Sequence, residues 1–218
     1  PSSLVGSEMC IRDRPYNYKA PFSPIDVIEE YTRPARMRIN SQVVTKPALS
    51  DLEIFNFSEV GKLEAFNTDG LRSLLQTMSH IPNMKEKTLR YPGHAKLIQS
   101  MIDDGLFNNK NFDKTINRLF KDWKLKEDEP EFTILDINIY SDSKNIHYHL
   151  YDETDDIFKS SSMARTTGFT ATATINMLLN NLWSKKGVFP PELVGENERC
   201  IDFLLSYLSA RNVTMSQN

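Results

Sequence analysis

The sequence predicts an α+β domain with a mixed, largely antiparallel sheet and helices. Three observations carry this. Strand-like runs come as hairpins around short polar turns, not in regular strand–helix–strand alternation. Stretches with apolar residues at helical spacing lie between them. The glycines are scattered: the 218-residue chain has 8, and no close pair occurs among positions 6, 61, 70, 93, 105, 168, 187 and 195. Dinucleotide fingerprints, phosphate-binding loops and nucleophile elbows all need clustered glycines, so none of these is present.

Composition narrows the class further. Hydrophobic residues make up 39% and charged residues 25%, which suits a globular chain with a real core. With 26 basic and 29 acidic side chains the net charge is −3, and no nucleic-acid partner is expected. No apolar run is long enough to span a membrane. The 2 cysteines cannot build a disulfide framework or a cysteine-only zinc site.

Taken in order, residues 1–14 (PSSLVGSEMCIRDR) show no useful periodicity and resemble a translated sequencing adapter. They are expected to be a disordered leader, with the domain spanning residues 15–218. Cys10 goes with the leader, and Cys200 reads as a packed core thiol. The start at Pro1 instead of Met fits a fragment or a processed product. Ser23, Pro24 and Asp26 signal a helix start, and Pro34 its end. Residues 36–40 and 42–46 form a hairpin around Asn40-Ser41. Strands are expected at 53–57 and 62–66.

Asp69 should open a helix with Leu71, Leu74, Leu75 and Met78 on one face. A short strand follows at 87–91, then a break at Pro92-Gly93. Residues 94–104 read as a helix ended by Gly105, and Phe112, Ile116, Leu119 and Phe120 mark another. Residues 131–140 and 145–151 are the strongest strands, joined by a polar turn. Helices close the chain at 164–182 and 198–210.

Several segments carry candidate chemistry. Asn67, Thr68 and Asp69 lie where a strand turns into a helix, which suits either capping or an anionic ligand. Arg90, beside Thr88 and Tyr91, can fork onto a carboxylate, or sit with its neighbours on a solvated basic strand. His94 reads as a surface histidine. The hydroxyl-rich run Ser160–Gly168 starts a helix that either meets an anion or docks a neighbouring domain. Arg33 and Arg36 are expected to pair with Glu29 and Glu30. His147 and His149 share a strand face with Tyr151. An H-x-H pair can hold a metal, but a solvated face explains it, and no metal is expected.

Together, NYKAPFSPIDVIEEY, EAFNTDGLRSLL, NMKEKTLRYPGH, SSMARTTGFTATATINMLL and KKGVFPPELVG resemble, in order and spacing, the saccharopine dehydrogenase family. More narrowly, they resemble its bacterial members, which include enzymes related to lysine 6-dehydrogenase. The resemblance covers residues 16–213. It implies the C-terminal substrate-binding and dimerisation domain of a two-domain dehydrogenase, whose Rossmann domain precedes it. It also implies oxidation or reduction of a CH–NH or CH–NH2 group of an amino acid, with NAD or NADP bound mainly by the Rossmann part. The protein would then be a cytoplasmic homodimer, with an apolar face of the 131–151 hairpin as interface.

The family's substrate motif maps onto Thr88, Leu89 and Arg90, with Tyr91, Asn67, Thr68 and Asp69 nearby. Arg90 becomes the expected carboxylate anchor. Saccharopine-using members carry an arginine where this chain has Thr68, which points to a substrate with fewer carboxylates. The general acid or base is unassigned among His94, Tyr91 and Lys19. The alternative is a stand-alone amino-acid-binding or dimerisation module.

Overall fold

The structure is a computed structural model that describes residues 2–9, 18–20, 23–126 and 129–218. Strand β1 (Ser2–Met9) precedes helix α1 (Pro24–Thr32). The hairpin β2 (Ala35–Ile39) and β3 (Gln42–Lys46) turns at Asn40 and Ser41, whose φ values are 48° and 68°. Two positive φ values make the mirror-image turn that matches strand twist. A second hairpin, β4 (Glu53–Phe57) and β5 (Gly61–Asn67), leads through α2 (Leu74–Thr77) to β6 (Asn83–Arg90). Helices α3 (His94–Asp103) and α4 (Phe112–Asp122) follow, then the hairpin β7 (Phe132–Tyr140) and β8 (Asn145–Glu153). The chain closes with α5 (Ser162–Leu179), α6 (Pro191–Gly195), α7 (Glu198–Ser209) and β9 (Met215–Gln217).

The sheet runs β3-β2-β6-β1-β7-β8-β9, with β4 and β5 branching from β6. Pairing is antiparallel except between β1 and β6. The expected α+β class, mixed and largely antiparallel, is what is found. β6 changes partners along its length. Its first half pairs with β1 and β2, and residues 87–90 pair with β5. β6 is an interior strand, longer than the short one expected at 87–91, and not the solvated basic strand that was one alternative. Lys87 and Arg90 on it are buried.

Two other expectations change. Residues 1–14 were expected to stay out of the fold as a disordered leader. Ser2–Met9 instead fills the gap between β6 and β7, where each neighbour presents open backbone hydrogen-bonding groups. Residues 10–14, with Cys10, lie outside the described residues. The helix expected from Asp69 shrinks to the single turn of α2. Arg72 takes φ 46°, and Asp69 and Gly70 are each held by bonds from other segments, so the helix cannot start there.

The core divides into clusters. Val27, Ile28, Tyr31, Phe66, Ile98, Leu119 and Trp123 bind α1, α3 and α4 to β5. Leu63, Ala65, Leu89, Phe132 and Ile134 fill the other face of β5 and β6. Leu150, Leu208 and Val213 join α7 to the hairpin β7–β8. Cys200 is buried, as expected of a core thiol, and its Sγ lies 3.6 Å from the Leu182 carbonyl oxygen. Among the described residues no helix is long and apolar enough to cross a membrane.

Candidate functional site

A cavity of about 1010 Å³ lies between the α1–β5–β6 side of the molecule and the β7–β8–α5–α7 side. Its polar end is lined by Tyr18, Glu30, Thr68, Glu86, Thr88 and Arg90, and its apolar end by Leu135, Ile137, Tyr148, Leu150, Met163 and Leu208. Strand alternation explains the choice of residues. Glu86, Thr88 and Arg90 occupy alternate positions on β6 and share the cavity face. Lys85, Lys87 and Leu89 point the other way. Lys85 and Lys87 pair with Glu53, and Leu89 enters the core beside Leu63.

The cavity therefore brings together Thr68, Asp69, Thr88 and Arg90 from the expected set. Leu89 and Tyr91 face the opposite core cluster, Tyr91 stacking edge-on to Phe132. Asn67 is turned away as well. Its Nδ2 donates to Ser50 Oγ at 2.9 Å and to Asp51 Oδ2 at 3.0 Å, pinning the 47–51 loop. Asp69 lines the cavity but is held by Arg36. Arg36 Nε and a terminal nitrogen each donate to its carboxylate at 2.9 Å. Burial pushes the Asp69 carboxyl up, and the Arg36 fork outweighs it, so it titrates below the usual range. Arg36 was expected to pair with Glu29 or Glu30; only Arg33 does so, with Glu29.

Arg90 is 4% exposed. Its Nε donates to Tyr31 Oη at 3.0 Å, a terminal nitrogen donates to the Leu89 carbonyl at 2.8 Å, and the guanidinium lies 4.3 Å from the Tyr18 ring centre. The Glu30 carboxylate is 3.9 Å away. Burial pushes Arg90 down to about 9. His94 is not a surface residue: it is 1% exposed, and its Nε2 lies 2.9 Å from Tyr31 Oη. Tyr31 thus bridges His94 and Arg90. His94 is fixed because Glu64 accepts from Gly93 N at 2.9 Å and Ala95 N at 2.6 Å, a buried carboxylate on the start of α3. Gly93 itself takes φ 100°, which favours glycine.

The acidic wall is a hydrogen-bonded chain. Thr68 Oγ1 lies 2.7 Å from Glu86 Oε2 and 2.8 Å from Thr88 Oγ1. Thr68 has one proton to give, so it donates to the carboxylate and accepts from Thr88. Gly70 N also donates to Glu86, at 2.9 Å. A Cβ at Gly70 would sit 2.5 Å from Glu86 Cδ, so a side chain there displaces the carboxylate. Burial pushes Glu86 up despite the Thr68 and Gly70 bonds. Burial first, and then the charge of Glu86, pushes Glu30 up to about 7. Thr133, which lines the cavity, has its hydroxyl buried without a hydrogen-bond partner among the described residues.

Glu30 was expected only as an ion-pair partner of Arg33 or Arg36, and Tyr31, Glu64 and Glu86 escaped sequence reasoning. Glu86 was within reach, because the alternation that selects Thr88 and Arg90 also selects it. Tyr31 and Glu64 carried no local signal.

The start of α5 does not offer itself to a phosphate. Ser161 Oγ accepts from Ala164 N at 3.1 Å, and the Glu131 carboxylate accepts from Ser162 N. The Glu131 carboxyl already occupies the place an anion would take there. The apolar faces of the β7–β8 hairpin are used inside the chain, one against the cavity and α7, the other against β5 and β6. His147 and His149 lie away from the cavity. They are half-buried over Asp136 instead of forming a solvated face.

Residues 5–213 match the protein family described as "Saccharopine dehydrogenase C-terminal domain". Among solved structures the fold is similar to apo histidine-tagged saccharopine dehydrogenase (L-Glu forming) from Saccharomyces cerevisiae. The TM-score is 0.77 at 12% identity, and the match covers 100% of this chain and 66% of that one. At this identity the likeness concerns the fold. The family match spans nearly the whole chain, and the chain belongs to the saccharopine dehydrogenase C-terminal domain family.

Proposed function

We propose that the chain is the substrate-binding and dimerisation part of an NAD(P)-dependent oxidoreductase. The reaction acts on the CH–NH or CH–NH2 group of a lysine-like or saccharopine-like amino acid. The enzyme works in the cytoplasm as a homodimer, with a preceding Rossmann domain that binds NAD or NADP. The functional domain centres on residues 15–218, which hold the side chains that line the cavity. The single observation that carries this reading is the polar end of the cavity, where Arg90 faces the acidic pair Glu30 and Glu86.

A zwitterionic amino acid fits such an end. Its carboxylate complements the buried charge of Arg90, which burial alone disfavours. Its ammonium group meets Glu86 and Glu30. Thr88 and Thr133 supply hydroxyls, and the apolar end takes the aliphatic chain. Thr68 favours a lysine-like substrate over a tricarboxylate, because it adds no positive charge and is hydrogen-bonded to Glu86. The dinucleotide, when bound, supplies the hydride chemistry. This chain's residues orient the substrate and exclude water from it.

The test is a substrate screen on the complete gene product with lysine, saccharopine and related diamino acids. Turnover of NAD(P)H that depends on one of these, with kcat/KM reduced in Arg90→Ala, supports the reading. An unchanged kcat/KM in that variant removes the anchor. Amino-acid binding without turnover would favour a stand-alone binding module.

A further inference from the structure

We propose that Asp136, His147 and His149 form a binding site for one divalent transition-metal ion of the zinc class. The site lies on the face of the β7–β8 hairpin opposite the cavity. Asp136 pairs directly across the strands with His149, and His147 is the next residue on the same face. Asp136 Oδ2 lies 2.7 Å from His147 Nε2 and 3.1 Å from His149 Nδ1. One ligand atom from each residue lies within 4.8 Å of the others. Two imidazoles and one carboxylate form a borderline donor set suited to zinc and its neighbours.

The surroundings orient these donors as outer partners of a metal site do. Asn138 Nδ2 donates to Asp136 Oδ1 at 2.8 Å, which leaves Oδ2 to face both rings. Glu59 Oε1 lies 3.2 Å from His149 Nε2, and the Phe57 ring stacks on His149. His149 therefore has a carboxylate at each ring nitrogen. This arrangement places the Nδ1 edge of the ring beside Asp136 Oδ2, where a metal ion can bridge them. Nδ1 binds through its lone pair, and Nε2–H donates to Glu59.

Donors around a tetrahedral zinc ion sit about 3.4 Å apart, given metal–ligand lengths of roughly 2.0–2.2 Å. Admitting the ion opens the Asp136 contacts by less than an ångström. The His147 side chain is 38% exposed, which gives an entry path and a place for a water in the fourth position.

The test uses the untagged chain, stripped with a chelator and titrated with zinc against a chromophoric competitor. One ion per chain is expected. Asp136→Asn and His149→Ala should each weaken binding about 100-fold, and Glu59→Gln about 10-fold, as for an outer partner. Imidazole NMR reads the site without any variant. Of the 4 histidines, His147 and His149 should shift with zinc, while His80 and His94 stay. No binding at micromolar zinc, shifts at His80 or His94 only, or full affinity in a folded His147→Ala/His149→Ala double variant would each overturn the site.

Discussion

Arg90 and Arg165 are both buried, at 4% and 7% exposure, but they stand in opposite surroundings. Arg165 on α5 meets Asp152 at 3.2 Å, Asp155 at 2.8 Å and the Arg211 carbonyl at 3.1 Å. It ties α5 to the end of β8 and to the turn after α7. Arg90 meets a tyrosine hydroxyl, a carbonyl and aromatic faces, with Glu30 at 3.9 Å, and it lines the cavity. A buried cation gripped by carboxylates on two sides is a fastening. A buried cation whose pKa burial has pushed down to about 9 gains from a ligand's negative charge.

The sharpest way to break this contrast is to remove each arginine. Arg165→Ala leaves two carboxylates without their cation. It should destabilise the fold by about 3–5 kcal/mol, read by urea unfolding. Arg90→Gln removes the bonds to Tyr31 and the Leu89 carbonyl and should cost about 1–3 kcal/mol of stability, with about 2–4 kcal/mol of substrate affinity lost besides. Equal losses of stability in the two variants would erase the distinction.

The fastening side has its own titration. Glu131, which caps α5 near Asp152, is pushed up to about 7 by burial. Its carboxyl is protonated in the folded state over a range where the unfolded chain has ionised it. Stability is therefore full below about 4.5 and falls as pH rises through about 7. Glu131→Gln keeps an acceptor for the helix start and should flatten this slope. The gain at pH 8, read by chemical denaturation, should be about 2 kcal/mol. A slope unchanged in the variant would place its cause elsewhere.

The smallest expected effect belongs to Tyr31. Tyr31→Phe removes the hydroxyl between Arg90 and His94 and should cost about 1 kcal/mol of stability. It should also raise the KM of the complete enzyme while leaving kcat nearly unchanged, because it loosens the anchor without touching the hydride donor. A fall in kcat with KM constant would move Tyr31 from positioning to the reaction itself.

Local chemistry carried much of the fold. Asn40-Ser41 adopts the positive φ values that a two-residue hairpin needs, and Gly93 after Pro92 starts α3 where expected. The site was legible in part. Thr88 and Arg90 line the cavity, while Leu89, which came with the family's motif, and Tyr91 face the core on the other side, because neighbours on a strand point opposite ways. Asp69 was found as a cavity residue, but its partner Arg36 lies 33 positions away and gave no local sign.

The sequence by itself determined the α+β class, both strong hairpins, the helices of clear period, and the family motifs around Arg90. These depend on turn chemistry and apolar spacing, which act over a few residues. The tertiary structure decided the rest. It made β6 an interior strand, cut the helix after Asp69 to one turn, buried His94 against Tyr31, and placed Asp136 under two histidines. Each outcome depends on which distant group reaches a buried polar atom. The cost of leaving such an atom unpaired outweighs the small local preferences that a sequence displays.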